Sequence, residues 1–178
     1  MLQIKTALIS VFDKNGIEPL AKKLSSLGIK ILSTGGTEKF LTKIGLNIQK
    51  VEDITSYPSI LGGRVKTLHP KIFGGILNRR TNKNDILDVE RFDIPKIDLV
   101  VVDLYPFEKT VENGKNEEEI IEKIDIGGIS LIRAASKNFK DVVCISSRDQ
   151  YSNFVSLLEK NEGNFDLNSR KEFATKAF

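Results

Sequence analysis

A chain of 178 residues with 40% hydrophobic and 29% charged side chains has the size and balance of one globular domain with a real core, and is short for two. Its net charge of +3 is too small to argue for a nucleic-acid binder, and its single cysteine, Cys144, excludes an internal disulfide. One cysteine and one histidine also leave few soft metal ligands, so no metal centre is expected.

The N-terminal apolar stretch is short and broken by Lys5, Ser10 and Asp13. It is expected to be a first strand rather than a signal peptide or membrane span, which makes the cytoplasm the default location. TALISVF (6–12) is that strand. Ile17, Leu20, Leu24 and Leu27 then recur at helical spacing, with Gly28 as a stop. IKIL (29–32) is a short strand. TEKFLTKIG returns to helical periodicity, with Thr37 as a candidate cap and Gly45 as an end signal. NIQKVEDI (47–54) is a weaker strand. The following TSYPSILGGRVKTLHPKIFGG is rich in Gly and Pro and has no period-2 pattern. IDLVVVDLY (97–105) is an apolar run suited to the middle of a sheet. The acidic NGKNEEEIIEKI predicts a solvated helix. ISLIRAASKN predicts a helix, DVVCIS (141–146) a strand and RDQYSNFVSLLEKN another helix. Strands alternating with helices imply an α/β fold with a largely parallel sheet, and no internal repeat interrupts it. The tail LNSRKEFATKAF ends in a helical pattern without a stop signal, the pattern expected of a piece of a longer chain.

In open α/β sheets ligands sit beyond the carboxyl ends of the strands, so the loops there are the candidates. The first carries Ser10, Asp13, Lys14 and Asn15, and the second Ser33-Thr34-Gly35-Gly36-Thr37. Glycines, hydroxyls and a helix N-terminus suit an anion, although a plain turn with a Thr cap fits the same residues. It is not a P-loop, because the GxxxxGK[ST] spacing is absent. GGRVKTLHPKIFGG (62–75) brackets Arg64, Lys66, Lys71 and the sole histidine, His69, between Gly-Gly pairs. Arg64 offers a bidentate fork and Lys66 a point charge; His69 reads first as structural. Tyr105 ends the strongest strand, before Pro106. Asp125-Ile126-Gly127-Gly128 opens the helix carrying Arg133 and Lys137. Asp125 suits an N-cap, and the Gly-Gly N–H groups equally suit a developing oxyanion.

STGGT, GGRVKTLHP, LYPF and DIGGISLIRAASKN, in this order, resemble the IMP cyclohydrolase domain of the bifunctional AICAR transformylase/IMP cyclohydrolase family, over essentially the whole chain. The resemblance implies a methylglyoxal-synthase-like three-layer fold over residues 1–178, with the larger transformylase domain absent. It implies closure of formyl-AICAR ribotide to IMP with loss of water, without cofactor or metal, and a homodimer in the full-length protein. No nucleic-acid or membrane partner is implied. By that resemblance Ser10, Lys14, Ser33, Thr34, Gly35, Gly36 and Thr37 hold the 5′-phosphate. Arg64, Val65, Lys66 and Thr67 hold the base and its carboxamide, with Asp103 beside them. Ile126, Gly127 and Gly128 offer backbone donors. Lys66, Tyr105, Asp125 and Lys137 form the group that moves protons, with Lys137 first choice as general acid/base.

Three positions depart from the family pattern. Phe12 stands where many relatives have Ser, Asp103 where many have Asn, and Phe73 where many have His. Two rival activities share the fold class. Methylglyoxal synthase would keep a phosphate loop but does not match Arg64–Thr67 or Asp125–Lys137. A regulatory nucleotide-binding module would need no proton-moving group.

Overall fold

The computed structural model describes residues 1–178. Its centre is a five-stranded, all-parallel sheet of order β4-β3-β2-β5-β6. The strands are β2 (Thr6–Ser10), β3 (Lys30–Ser33), β4 (Ile48–Lys50), β5 (Leu99–Val102) and β6 (Val143–Ile145). A small antiparallel pair, β1 (Leu2–Gln3) with β7 (Asn164–Phe165), lies apart from it. The chain first builds outward from β2 through β3 to β4, then returns to place β5 on the other side of β2. The order therefore reverses between β2 and β5, and a crevice opens outside their carboxyl ends.

Both faces of the sheet are covered, and the strand residues divide with period two. Ala7, Ile9, Ile31, Leu99, Val101, Val143 and Ile145 join one apolar cluster with α1 (Ile17–Ser26) and α9 (Tyr151–Lys160). Leu8, Leu32, Val100, Val102 and Cys144 join the other, against α4 (Pro70–Leu77) and α8 (Gly127–Lys137). The remaining helices are α2 (Gly35–Lys43), α3 (Val51–Thr55), α5 (Lys83–Arg91), α6 (Phe107–Glu112), α7 (Glu117–Ile121) and α10 (Leu167–Ala177). Of these, α10 packs along the edge strand β6 and against α8. This is the expected three-layer α/β arrangement. No helix is long and apolar enough to cross a membrane.

Several local expectations change. The helix after β3 starts at Gly35, before Thr37, so Thr37 is not its cap. The Thr37 hydroxyl instead donates to Val11 O (2.8 Å) and accepts from Val11 N (3.1 Å), tying α2 to the end of β2. The strand expected over 47–54 is strand only to Lys50; Val51 begins α3. Val51 is buried, and Glu52 and Asp53 in its first turn favour a helix N-terminus electrostatically. The irregular glycine-rich stretch contains α4, capped by His69, whose Nδ1 accepts from Lys71 N (3.1 Å). His69 is thus a structural cap.

Gly74 and Gly75 lie inside α4 for reasons of packing. A Cβ on Gly75 would stand 2.3 Å from the Pro95 carbonyl oxygen, and the Gly75 carbonyl accepts from Ile97 N (3.0 Å). Gly75→Ala must push α4 off the segment entering β5, an overpacking cost of about 1–3 kcal/mol or more. We expect its melting temperature to fall by about 5–10 °C in a thermal denaturation scan; an unchanged midpoint would mean that α4 sits farther from Pro95.

Candidate functional site

The crevice at the β2/β5 reversal is a cavity of about 550 Å³. Its floor is the β2–α1 loop, which Asp103 holds in place from the end of β5. The Asp103 carboxylate accepts from the Phe12 and Asp13 backbone N–H groups, the second at 3.1 Å. Burial raises its pKa against those bonds and against Lys14. Asp103 lines the cavity, but its two oxygens are engaged by the loop. An Asn there would present only one acceptor oxygen. The carboxylate in this chain therefore suits a loop clamp better than a reader of the base.

One end of the cavity gathers cations over the start of α2. The Lys14 ammonium donates to Val11 O (2.5 Å) and Phe12 O (2.8 Å) and lies 3.9 Å from where a Cβ on Gly36 would stand. The Lys66 ammonium is 3.2 Å from the equivalent point on Gly35. Burial lowers the Lys14 pKa; Asp103 and Asp13 oppose that, and Lys66 adds to it. Two ammonium groups beside the N–H groups of a helix start make an anion cradle. The Lys66 side chain reaches it by passing over Gly63, whose φ is +89° and whose Cβ would lie 2.5 Å from Lys66 Cε. Any side chain there would both strain the backbone and displace the lysine. Lys66 was expected at the base end; the structure places it beside the hydroxyl-glycine loop instead.

Tyr105, Asp125 and the start of α8 line the same cavity. Asp125 Oδ1 accepts from Gly128 N (2.5 Å), so the Gly128 N–H is committed to this cap. Ile126 and Gly127, whose N–H groups precede the first intrahelical bond, line the cavity. Burial raises the Tyr105 pKa, and Asp125 and Glu122 raise it further. Arg64 and Glu122 pair across the mouth, and this pair holds the Arg64 pKa up and the Glu122 pKa down. Thr67 is buried, with its hydroxyl 3.4 Å from where a Gly127 Cβ would stand.

Most predicted residues thus meet. Ser10, Lys14, Thr34, Gly36, Thr37, Arg64, Lys66, Thr67, Asp103, Tyr105, Asp125 and Ile126–Gly128 all line one cavity, and Gly35 adjoins it through Lys66. Ser33 does not line it: its hydroxyl is buried and donates to Ile9 O (2.7 Å), tying β3 to β2. Val65 faces elsewhere, in an isolated bridge with Ile60. Lys137 is the main correction. A crossover helix runs antiparallel to the strands, so α8 carries Asp125 and Gly127 at the carboxyl edge and Lys137 at the amino edge. Eleven residues span about 16 Å. Lys137 lines a separate cavity with Arg133, Phe139 and Phe178.

Sequence reasoning missed the wall made by Ile121, Glu122 and Ile124. The acidic run looked like a solvated helix, and α7 is indeed exposed. The available signal was adjacency: these residues run directly into Asp125.

A lysine cradle and a set of proton-bearing groups in one crevice, at the reversal point of a parallel sheet, define an α/β domain with its candidate ligand site at the carboxyl edge of the sheet. The chain belongs to the MGS-like domain family, whose profile matches residues 16–130. The profile of the AICARFT/IMPCHase bienzyme matches residues 135–178. The chain is 54% identical over 176 residues to the "Bifunctional purine biosynthesis protein PurH" of Bacteroides thetaiotaomicron and 47% identical over 174 residues to that of Persephonella marina. These alignments cover 99% and 98% of the chain but only 35% and 34% of those proteins, so the chain spans about a third of their length. The crystal structure of ForH superposes with a TM-score of 0.85 at 36% identity, covering 97% of this chain and 89% of that one.

Proposed function

We propose that this chain is an IMP cyclohydrolase domain that closes formyl-AICAR ribotide to IMP with loss of water. The observation that carries the reading is that one cavity joins a lysine cradle to a set of proton-bearing groups. Lys14 and Lys66 converge on the start of α2, and Tyr105, Asp125 and Gly127 line the same cavity. A ribotide carries both a phosphate and a reacting base, and so needs both. The PurH relatives, named for purine biosynthesis, support the substrate class.

In the proposed reaction the carboxamide nitrogen attacks the formyl carbon of the same molecule. An N–C bond forms, the nitrogen loses a proton, and the formyl oxygen gains one. The C–O bond then breaks as the formamide nitrogen gives up its own proton and forms the C=N double bond of the ring, and the oxygen leaves with that proton as water. The attack is intramolecular, so holding the two groups together supplies much of the acceleration. The phosphate sits on Lys14, Lys66, Gly36 and Thr37, with Ser10 and Thr34 as further hydroxyl donors. Arg64 and Thr67 border the carboxamide. The Ile126 and Gly127 N–H groups and the Tyr105 hydroxyl face the developing oxyanion, and Asp125 fixes that turn. Lys66, Tyr105 and Asp125 are the proton-moving groups available within one chain.

Mixing the chain with formyl-AICAR ribotide in the presence of a chelator should give the ultraviolet absorbance of IMP. A folded sample that binds IMP but never forms it would be a nucleotide-binding module instead. The homodimer is part of this proposal and is checked by sedimentation. Lys137→Leu tests whether one chain suffices. Its rate should stay within about threefold of the parent, well short of the 10²–10⁴-fold loss typical of a missing general acid/base. A loss on that scale would mean that Lys137 acts on the cavity of a second copy.

A further inference from the structure

Phe12, Tyr105 and Lys123 form a unit at the cavity mouth. The two rings lie 4.9 Å apart at 56°. The Lys123 ammonium is 5.5 Å from one ring centre and 5.3 Å from the other, within cation–π range of both. Lys123 takes part in none of the chain's ion pairs; its neighbour Glu122 is paired with Arg64.

Phe12 is anchored by its backbone, since its N–H donates to Asp103 and its carbonyl accepts from Lys14 (2.8 Å). Phe12 as a whole is 44% exposed, so it is not held there by core packing. Tyr105 sits on the non-strand segment between Val102 and Phe107, and its hydroxyl makes no side-chain hydrogen bond. The tilted ring and the ammonium are therefore what fix its side chain. Many relatives were expected to carry Ser at position 12, which would leave that flank of the phenol open.

Resting on the cyclohydrolase reading, we propose that Phe12 and Lys123 are positioning residues for Tyr105. Together they lock the phenol in one rotamer, with its hydroxyl on the Asp125 side of the cavity. Lys123 has a second effect. Asp125 and Glu122 act on the phenol from the α7–α8 segment, Arg64 is tied to Glu122, and Asp103, Lys14 and Lys66 line the same cavity. The Lys123 ammonium, 5.3 Å from the Tyr105 ring centre, opposes the carboxylates that disfavour the phenolate.

The test combines steady-state kinetics with ultraviolet titration of the tyrosines, the Tyr105 component being the one missing in Tyr105→Phe. Phe12→Ser should lower kcat about tenfold with KM within about twofold, and Phe12→Tyr should restore it. Lys123→Met should lower kcat about fivefold and move the Tyr105 midpoint up by about half a pH unit, while Lys123→Arg should restore both. Phe12→Ser and Lys123→Met proteins with parental kcat would overturn the proposal, as would a rise in KM alone, which would make the pair a substrate-contacting wall. If the parent chain proves inactive, the cyclohydrolase reading fails separately. The titration then decides the clamp by itself, and a midpoint unmoved by Lys123→Met overturns it.

Discussion

Tyr105→Phe is expected to lower kcat by about 10²–10³-fold, the cost of removing one preorganised oxyanion donor, while IMP affinity stays within about threefold. In the proposed reaction the phenol faces the reacting base rather than the phosphate. It therefore contributes little to holding the phosphate. Its ring is packed against Phe12, and phenylalanine keeps that packing, so the variant removes the hydroxyl alone. Burial, Asp125 and Glu122 all disfavour the phenolate. The folded-state pKa therefore lies above the usual value of about 10, and the hydroxyl remains a donor throughout the neutral range. The alkaline fall in kcat should begin above that value, and the Tyr105→Phe profile should lack it. Rates measured from neutral to strongly alkaline pH check both points. A kcat near that of the parent would remove Tyr105 from the reaction and leave it a packing residue.

Replacing both lysines of the cradle should have the largest effect on binding. Each charge-assisted hydrogen bond to an anion contributes about 1.5–3 kcal/mol, or about 10–150-fold in affinity. Lys14→Ala and Lys66→Ala should each weaken IMP binding within that range, and the double variant by about 10³-fold or more. The two losses should not simply add, because the ammonium groups act on one anion and Lys66 lowers the Lys14 pKa. Lys14→Ala should leave kcat at saturation largely intact, whereas Lys66→Ala should lower it too if Lys66 also moves protons. Titration calorimetry with IMP and with inorganic phosphate reads the affinity. A loss below threefold in both single variants would place the phosphate elsewhere.

Asp103 shows how one substitution changes a role. Its carboxylate uses both oxygens to hold the β2–α1 loop, which also carries Phe12 and Lys14. The departures from the family pattern at positions 12 and 103 are thus physically linked: the Asp103 carboxylate accepts the N–H of Phe12 itself. The third departure, Phe73, lines the separate cavity that holds Lys137, away from the proposed site.

Local pattern determined much of this protein. Short continuous apolar runs and helix-spaced leucines marked β2, β3, β5, β6 and the helices beside them, because a strand covered on both faces is apolar throughout and a helix packed on a sheet is apolar along one face. The carboxyl ends of the strands then pointed to STGGT, Arg64–Thr67, Tyr105 and Asp125–Gly128. Tertiary structure alone decided which of these meet, since that depends on strand order and helix direction. The reversal between β2 and β5 brought the loops together. Loop closure over Gly63 carried Lys66 to the start of α2. The antiparallel run of α8 separated Lys137 from Asp125 by the length of a helix, although both lie in one short motif. The acidic run became a cavity wall for the same reason: exposure and charge describe a segment's surface, and only the path of the chain decides what that surface faces.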